Sequence, residues 1–273
     1  MSNDIKAIQI ERRPAPTSRE QFKREVEEPS RPVVLTGGMQ HWPALSQWNA
    51  EYLREKIGHR NITVDICPPT GDATHTRPLD MTLARYIQQG VPELTARDRM
   101  SNTELSLHDF PEVKDDAREP DWYEPERFKT ASLFLGQATM SALHYHPDAE
   151  ALLCMVHGQN RVVLFEPGQT DRMYPTPWHR SRFHWSQVNT AKPDLARHPR
   201  FAEARPWETL LSPGEMVFIP IHWWHAIYRT AFTAAVTWFW MAELRQWHFP
   251  SPAVRTVAAF VPAIVRGMTR RRA

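Results

Sequence analysis

From residue 131 onward the chain is a succession of short apolar runs at close spacing, and no other feature limits its possible folds as much. Residues 131–136, 141–146, 151–156, 161–165, 214–220 and 233–240 each have the length of a strand, with turn residues between them. Repeated short strands predict a barrel or a sandwich, not a helical bundle. The 24 prolines against 10 glycines agree, since proline suits strand edges and fixed loops better than helix interiors. Upstream, residues 18–27 read as a charged helix with Ser18 as N-cap, and residues 31–38 as a strand ending in a glycine turn. A helix over 49–57 stopped by Gly58, a strand over 62–66 and a helix over 81–89 follow. Residues 91–128 are charged and irregular and read as a surface excursion, and residues 167–209 as a second long insertion placed to cover a site mouth. Residues 253–268 form an apolar helical stretch, with Pro262 as a kink or break. The expected fold class is therefore mainly β with flanking helices. Residues 1–130 would form an N-terminal α/β extension integral to the barrel, 131–245 the core with its 167–209 insertion, and 246–273 a C-terminal helix and basic tail.

Charge and composition exclude several classes. Lys plus Arg number 33 and Asp plus Glu 31, so the net charge of +2 gives no general attraction to polyanions, and no nucleic-acid partner is expected. No stretch of about 18 apolar residues occurs, so no transmembrane segment is expected. The first dozen residues are polar and do not resemble a signal peptide. Cys67 and Cys154 are the only cysteines, too few for a disulfide scaffold or a thiolate zinc site, and a cytoplasmic setting is the expectation. No phosphate loop, dinucleotide fingerprint or nucleophile elbow is present.

Thirteen histidines are many, and three stand apart. His144 and His146 are two residues apart on an expected strand, so both imidazoles face one side. His225 lies far downstream, after the apolar run 216–221 and Trp223-Trp224. Two ligands from one segment and a third from a distant strand make a mononuclear metal site with open positions, as oxygen-activating iron requires.

The surroundings carry a resemblance. Phe134-Leu135-Gly136, Ser141-Ala142-Leu143-His144-Tyr145-His146, Leu152 to Gly158, Arg161 to Phe165, Pro213 to Pro220 and Trp223-Trp224-His225 together resemble the cupin-like JmjC oxygenases. Within these the sequence is most similar to the branch of the asparaginyl hydroxylase factor inhibiting HIF and its bacterial relatives. Arg31-Pro32-Val33-Val34 and His41-Trp42-Pro43-Ala44 extend the likeness toward the N-terminus. The resemblance implies a double-stranded β-helix (jelly-roll, cupin-like), iron(II), 2-oxoglutarate as cosubstrate, and hydroxylation of a protein side chain, a peptide or a small molecule. It implies no catalytic residue beyond the metal ligands, a cosubstrate pocket at Ser141, Asn160 and Thr237, and a homodimer formed through the C-terminal helix.

Two departures bear on that reading. The family motif is His-x-Asp, whereas here the ligand set is either His144, His146 and His225, or a shifted register that uses Asp148 as the carboxylate. Asn160 stands where the family often has a lysine for the distal carboxylate of 2-oxoglutarate, so another cation, such as Arg180 or Arg182, would have to serve. The main expectation is an iron(II)- and 2-oxoglutarate-dependent oxygenase. The alternatives are a three-histidine iron dioxygenase that does not use 2-oxoglutarate, and a non-catalytic cupin-like binding protein.

Overall fold

Strands buried on both faces build a large sheet with an apolar core on each side. A computed structural model describes residues 7–66, 77–89, 101–102, 104–122 and 129–270. Its strands are β1 (Ile8–Gln9), β2 (Arg12–Pro14), β3 (Val33–Thr36), β4 (Asn61–Ile66), β5 (Arg77–Thr82), β6 (Ser101–Asn102), β7 (Glu104–Ser106), β8 (Lys129–Gln137), β9 (Ala149–His157), β10 (Asn160–Phe165), β11 (Trp207–Leu211), β12 (Glu215–Ile219), β13 (Trp224–Arg229) and β14 (Phe232–Met241). A seven-stranded sheet runs β2-β3-β12-β9-β14-β8-β7, a four-stranded sheet β1-β11-β10-β13, and a three-stranded sheet β5-β4-β6. The helices are α1 (Arg19–Phe22), α2 (Ala44–Gln47), α3 (Ala50–Ile57), α4 (Leu83–Gln89) and α5 (Ala253–Arg270). The fold is thus mixed, mainly β, with flanking helices and a C-terminal helix.

Strand β9 shows why the middle of the chain reads as continuously apolar. Leu152, Cys154 and Val156 point to one face and pack with Phe22, Leu53, Leu83 and Tyr86 of the N-terminal helices. Leu153 and Met155 point to the other and pack with Val162, Leu164 and Ile227 of the four-stranded sheet. A strand buried on both sides has no polar face to alternate with. Each of these side chains, fully buried, contributes about 1.5–3 kcal/mol. Glu27 and Glu150 are buried at one end of the first core, where the Trp240 indole N–H donates to both, at 3.1 and 3.0 Å.

Several sequence expectations hold locally. Ser18 caps α1 by accepting from the Gln21 N–H, and Asn49 caps α3 by accepting from the Tyr52 N–H. Gly58 ends α3, where any Cβ would lie 2.1 Å from the Arg54 carbonyl oxygen. Others fail for physical reasons. Met81 and Thr82 end β5, and the helix starts only at Leu83, because Met81 pairs with Ile62 across the sheet. The helix over 18–27 widens to a π-helix at Lys23–Glu27. The described part of 91–128 is no mere surface excursion: Leu107, Phe110, Val113, Ala117 and Trp122 are buried in the first core. Residues 141–146 form no regular strand, although His225 does lie on a distant strand, β13, as expected. Helix α5 runs unbroken through Pro262. Cys154 is buried and unpaired, and Cys67 lies outside the described residues. No helix among the described residues is long and apolar enough to cross a membrane.

Gly158 makes the turn from β9 to β10 with φ of +75°, and a Cβ there would sit 2.6 Å from the Phe232 carbonyl oxygen. Left-handed backbone disfavours L side chains, and the collision adds to that cost. Gly158→Ala is expected to destabilise the chain by about 2 kcal/mol or more, read from urea denaturation.

Candidate metal centre

The segment before β9 is held against β13 by a short irregular ladder. Arg229 N–H donates to the Thr139 oxygen at 2.9 Å and Ser141 N–H to the Ile227 oxygen at 2.9 Å. His144 and His225 exchange both backbone bonds, at 3.1 and 2.7 Å. Two residues separate Ser141 from His144, but only one separates Ile227 from His225, so the segment carries one extra residue. The Ser141 hydroxyl absorbs the mismatch by accepting from the Ile227 N–H at 2.9 Å. The other edge of the segment is held by the 167–209 insertion: Tyr145 N–H donates to His184, and Ser186 N–H to Leu143.

Residues that exchange both bonds across an antiparallel pair project their side chains to the same side. His144 and His225 therefore meet, with ring centroids 4.2 Å apart, and His146, two residues on, lies 4.6 Å from His225. One ligand nitrogen from each of the three falls within 4.8 Å of the others. His144 Nδ1 is 2.8 Å from the Ala142 carbonyl and His225 Nδ1 is 3.0 Å from that of Trp223. A carbonyl only accepts, so each Nδ1 carries the proton and each Nε2 keeps a free lone pair for a metal. His146 Nδ1 is buried with no hydrogen-bond partner. Orphaned imidazole nitrogens converging on one point fit a metal ion, and three neutral donors are what the site supplies.

Burial dominates the electrostatics. It pushes His144 below the usual histidine range and His146 and His225 well below it, with the neighbouring imidazoles adding to the effect in the last two. The rings are therefore neutral and ready to coordinate at neutral pH.

A cavity of about 200 Å³ opens beside the three nitrogens. Ser141 and Thr237, both expected in a cosubstrate pocket, line it, and the Thr237 hydroxyl is buried without a partner. Asn160 is buried opposite Arg229 across β10 and β13 and does not line the cavity. His184 and Trp185 of the insertion form one wall. Burial pushes His184 down to about 3, and its Nε2 accepts from the Trp185 indole, which leaves a proton on its unpartnered Nδ1. Arg182 is engaged elsewhere, paired with Asp65 at 2.8 Å and stacked 4.4 Å over Trp185, and Arg180 is exposed. The cation in the cavity is Arg229. Sequence reasoning passed over it, although it lies four residues after His225, on the same face of β13.

Three imidazoles, one from β13 and two from the irregular segment bonded to it, gather beside one cavity as a candidate mononuclear metal centre. Residues 19–246 match the model of the cupin-like domain, and the chain belongs to that family. It is 31% identical over 229 residues to lysine-specific demethylase 8 of Xenopus tropicalis, covering 82% of this chain and 51% of that protein. It is 28% identical over 236 residues to Jumonji C domain-containing protein 5 of Drosophila melanogaster, covering 82% and 58%. To tRNA wybutosine-synthesizing protein 5 of Danio rerio it is 29% identical over 253 residues, covering 85% and 74%. The chain thus spans little more than half the length of the first two of these relatives. These likenesses support the broad cupin and JmjC group, not the narrower branch of the factor inhibiting HIF.

The donor set overturns the main functional expectation. The carboxylate that a 2-oxoglutarate-dependent oxygenase pairs with two histidines is absent from the cluster. Asp148 does not replace it: it is exposed, lies outside the metal cluster and lines an adjoining cleft on the other side of His146 and Pro147, not the cavity itself. The description as an iron(II)/2-oxoglutarate hydroxylase is corrected accordingly, and the triad gives 2-oxoglutarate no support.

His222 clamps the site from behind. Its backbone N–H donates to the His146 carbonyl, its Nδ1 accepts from the His248 N–H at 3.2 Å, and its Nε2 lies 3.2 Å from the Pro147 carbonyl. Only the neutral ring makes both side-chain bonds, and burial pushes its pKa down to about 3. The unfolded chain, with histidine near 6.5, takes up the proton first, so stability falls as the pH drops from about 6.5 toward 3. From pH 7.5 to 5, this one group should cost the metal-free chain about 2 kcal/mol. Urea denaturation of wild type and His222→Gln checks it: the variant should show the shallower pH dependence, and equal slopes would reject the assignment.

Proposed function

We propose that the protein is a three-histidine iron(II) dioxygenase that does not use 2-oxoglutarate and takes its substrate directly into the cavity beside the metal. The observation that carries this reading is the convergence of His144, His146 and His225 with no carboxylate among them. The iron assignment leans on the family likeness, because imidazole donors alone also suit zinc and copper. The two facing sheets are read as the double-stranded β-helix of cupins, with residues 131–245 as its catalytic unit.

Bound iron would supply the redox chemistry toward dioxygen. The chain's own part is positional. The carbonyls of Ala142 and Trp223 hold the Nδ1 protons of His144 and His225 and so aim Nε2 inward. Leu153, Ile219, Ile227 and Phe239 wall the cavity with apolar surface that keeps water out. The Nδ1 proton of His184 and the Thr237 hydroxyl are free to hydrogen-bond a substrate oxygen.

Metal analysis and oxygen uptake test the proposal. One iron per chain is expected, with oxygen consumption that neither requires 2-oxoglutarate nor releases succinate. His144→Ala, His146→Ala and His225→Ala should each lose stoichiometric iron, and Asp148→Ala should retain it. Iron retained in His146→Ala but lost in Asp148→Ala would restore the other register. Zinc at unit stoichiometry without oxygen uptake would reject the oxygenase reading.

We also infer a homodimer through α5, whose Val254, Val257, Phe260 and Val261 are exposed in the single chain. Light scattering should give twice the chain mass for the full chain and a monomer when it is cut after Gln246.

A further inference from the structure

One wall of the cavity comes from the turn over residues 174–187, and the backbone there is pinned on both sides. Tyr145 N–H donates to the His184 oxygen at 3.1 Å, Thr176 N–H to the Trp185 oxygen at 2.8 Å, and Ser186 N–H to the Leu143 oxygen at 2.8 Å. Gln187 N–H closes the turn by donating to the Tyr174 oxygen at 3.0 Å. The main chain at Trp185 is therefore tied down and does not swing off the site as a lid. What is left free to move is the Trp185 ring. That ring lines the cavity, with its centroid 5.9 Å from that of His144.

Two contacts set the place of the ring. Its indole N–H donates to His184 Nε2 at 3.0 Å, and the Arg182 guanidinium lies over it, 4.4 Å from its centroid. A planar guanidinium stacked on an indole steadies it only as well as the guanidinium itself is held. Arg182 is held from outside the turn. Its Nη2 donates at 2.8 Å to Asp65, 117 residues earlier, on β4 of the three-stranded sheet. Its Nη1 is buried with no hydrogen-bond partner. Asp65 is thus the carboxylate that fixes the direction of this side chain. A partly exposed ion pair adds little stability by itself, so its worth here is directional.

The backbone points to the same residue. Arg182 has φ of +61°, and Tyr174, at the start of the turn, +46°. Left-handed backbone is unfavourable for L residues with a bulky side chain. Such residues persist where surrounding contacts over-determine them, and they collect at ligand clamps. Here the turn carries the arginine back over Trp185, whose backbone N–H donates to the Arg182 oxygen at 2.8 Å.

Resting on the cavity being the substrate site, as proposed above, we infer that Trp185 is its size-determining wall. Asp65 and Arg182 are positioning residues that hold the ring in place. The cavity of about 200 Å³ is the room left with the ring so held. Breaking the pair frees the ring to rotate and admits bulkier ligands. The histidines keep their places, because His144 is bonded to His225 independently of the pair.

Fluorine NMR on the full metal-free chain, with fluorotryptophan incorporated, reads the ring directly. Trp185→Phe assigns the Trp185 resonance by its loss. That resonance should move or broaden in Asp65→Asn and in Arg182→Gln, and return toward the wild-type position in Asp65→Glu. Size selection is read with cobalt(II) as a coloured probe, by titrating imidazole against phenylimidazole. Trp185→Ala should shift the affinity ratio toward the bulkier ligand by about tenfold or more, the range of steric exclusion from a fitted pocket. Asp65→Asn should shift it the same way by about threefold, because the ring then samples both positions. A Trp185 resonance unmoved in both pair variants, or a ratio unchanged in Trp185→Ala, would overturn the inference. Should Trp185→Ala fail to fold, the ratio in Arg182→Gln decides in its place. No cobalt binding rejects the metal reading, and the NMR then decides the inference alone. Cobalt binding with an unmoved resonance keeps the metal reading and rejects the positioning pair.

Discussion

The pair of backbone hydrogen bonds exchanged by His144 and His225 holds the centre together. It joins two segments about eighty residues apart in sequence, and it does so at the one register that puts both imidazoles on the same side. A shift of one residue would turn His144 outward and bring Leu143 or Tyr145 in. Tyr145 shows what the opposite side is for. Its ring packs edge-on against Trp224 at 4.8 Å, within a separate apolar cluster. The same alternation that delivers the metal donors to one side therefore anchors their segment on the other.

Around this bridge His225 is buried and His144 and His146 are half-buried. The Nδ1 protons of two histidines are occupied by backbone carbonyls, those carbonyls belong to the residues two positions earlier, and the tautomer is fixed by the local chain itself. His146 has no such partner, and its orientation depends on the segment that His222 ties down. Unmet hydrogen-bonding capacity in a buried place is costly unless something binds there. The cavity gathers several such groups: His146 Nδ1, His184 Nδ1 and the Thr237 hydroxyl.

Charge connects the two ends of the cavity. Three neutral imidazoles leave a bound divalent ion with its full charge, where a histidine–histidine–carboxylate set would cancel part of it. Arg229 and Glu104 also line the cavity, one side chain of each sign among largely apolar walls.

The sequence by itself determined the apolar strands, the caps at Ser18 and Asn49, and the grouping of His144, His146 and His225, because each depends on residue type and short spacing. It also offered two registers for the third ligand, and only the tertiary structure decided between them: the chain turns Asp148 out to solvent beyond Pro147 while His146 stays inward. The period-two argument reached the right histidines through a segment that is no regular strand, since its ladder is kept by the Ser141 hydroxyl and by bonds to residues far away. Trp122 and its neighbours were hidden by the charges around them, because burial depends on what the chain packs against. Arg229 was legible as an inward position on β13, once His225 fixed the phase. That its side chain lies against Gly136 of β8 was not, because such a contact depends on how two distant strands come to face each other.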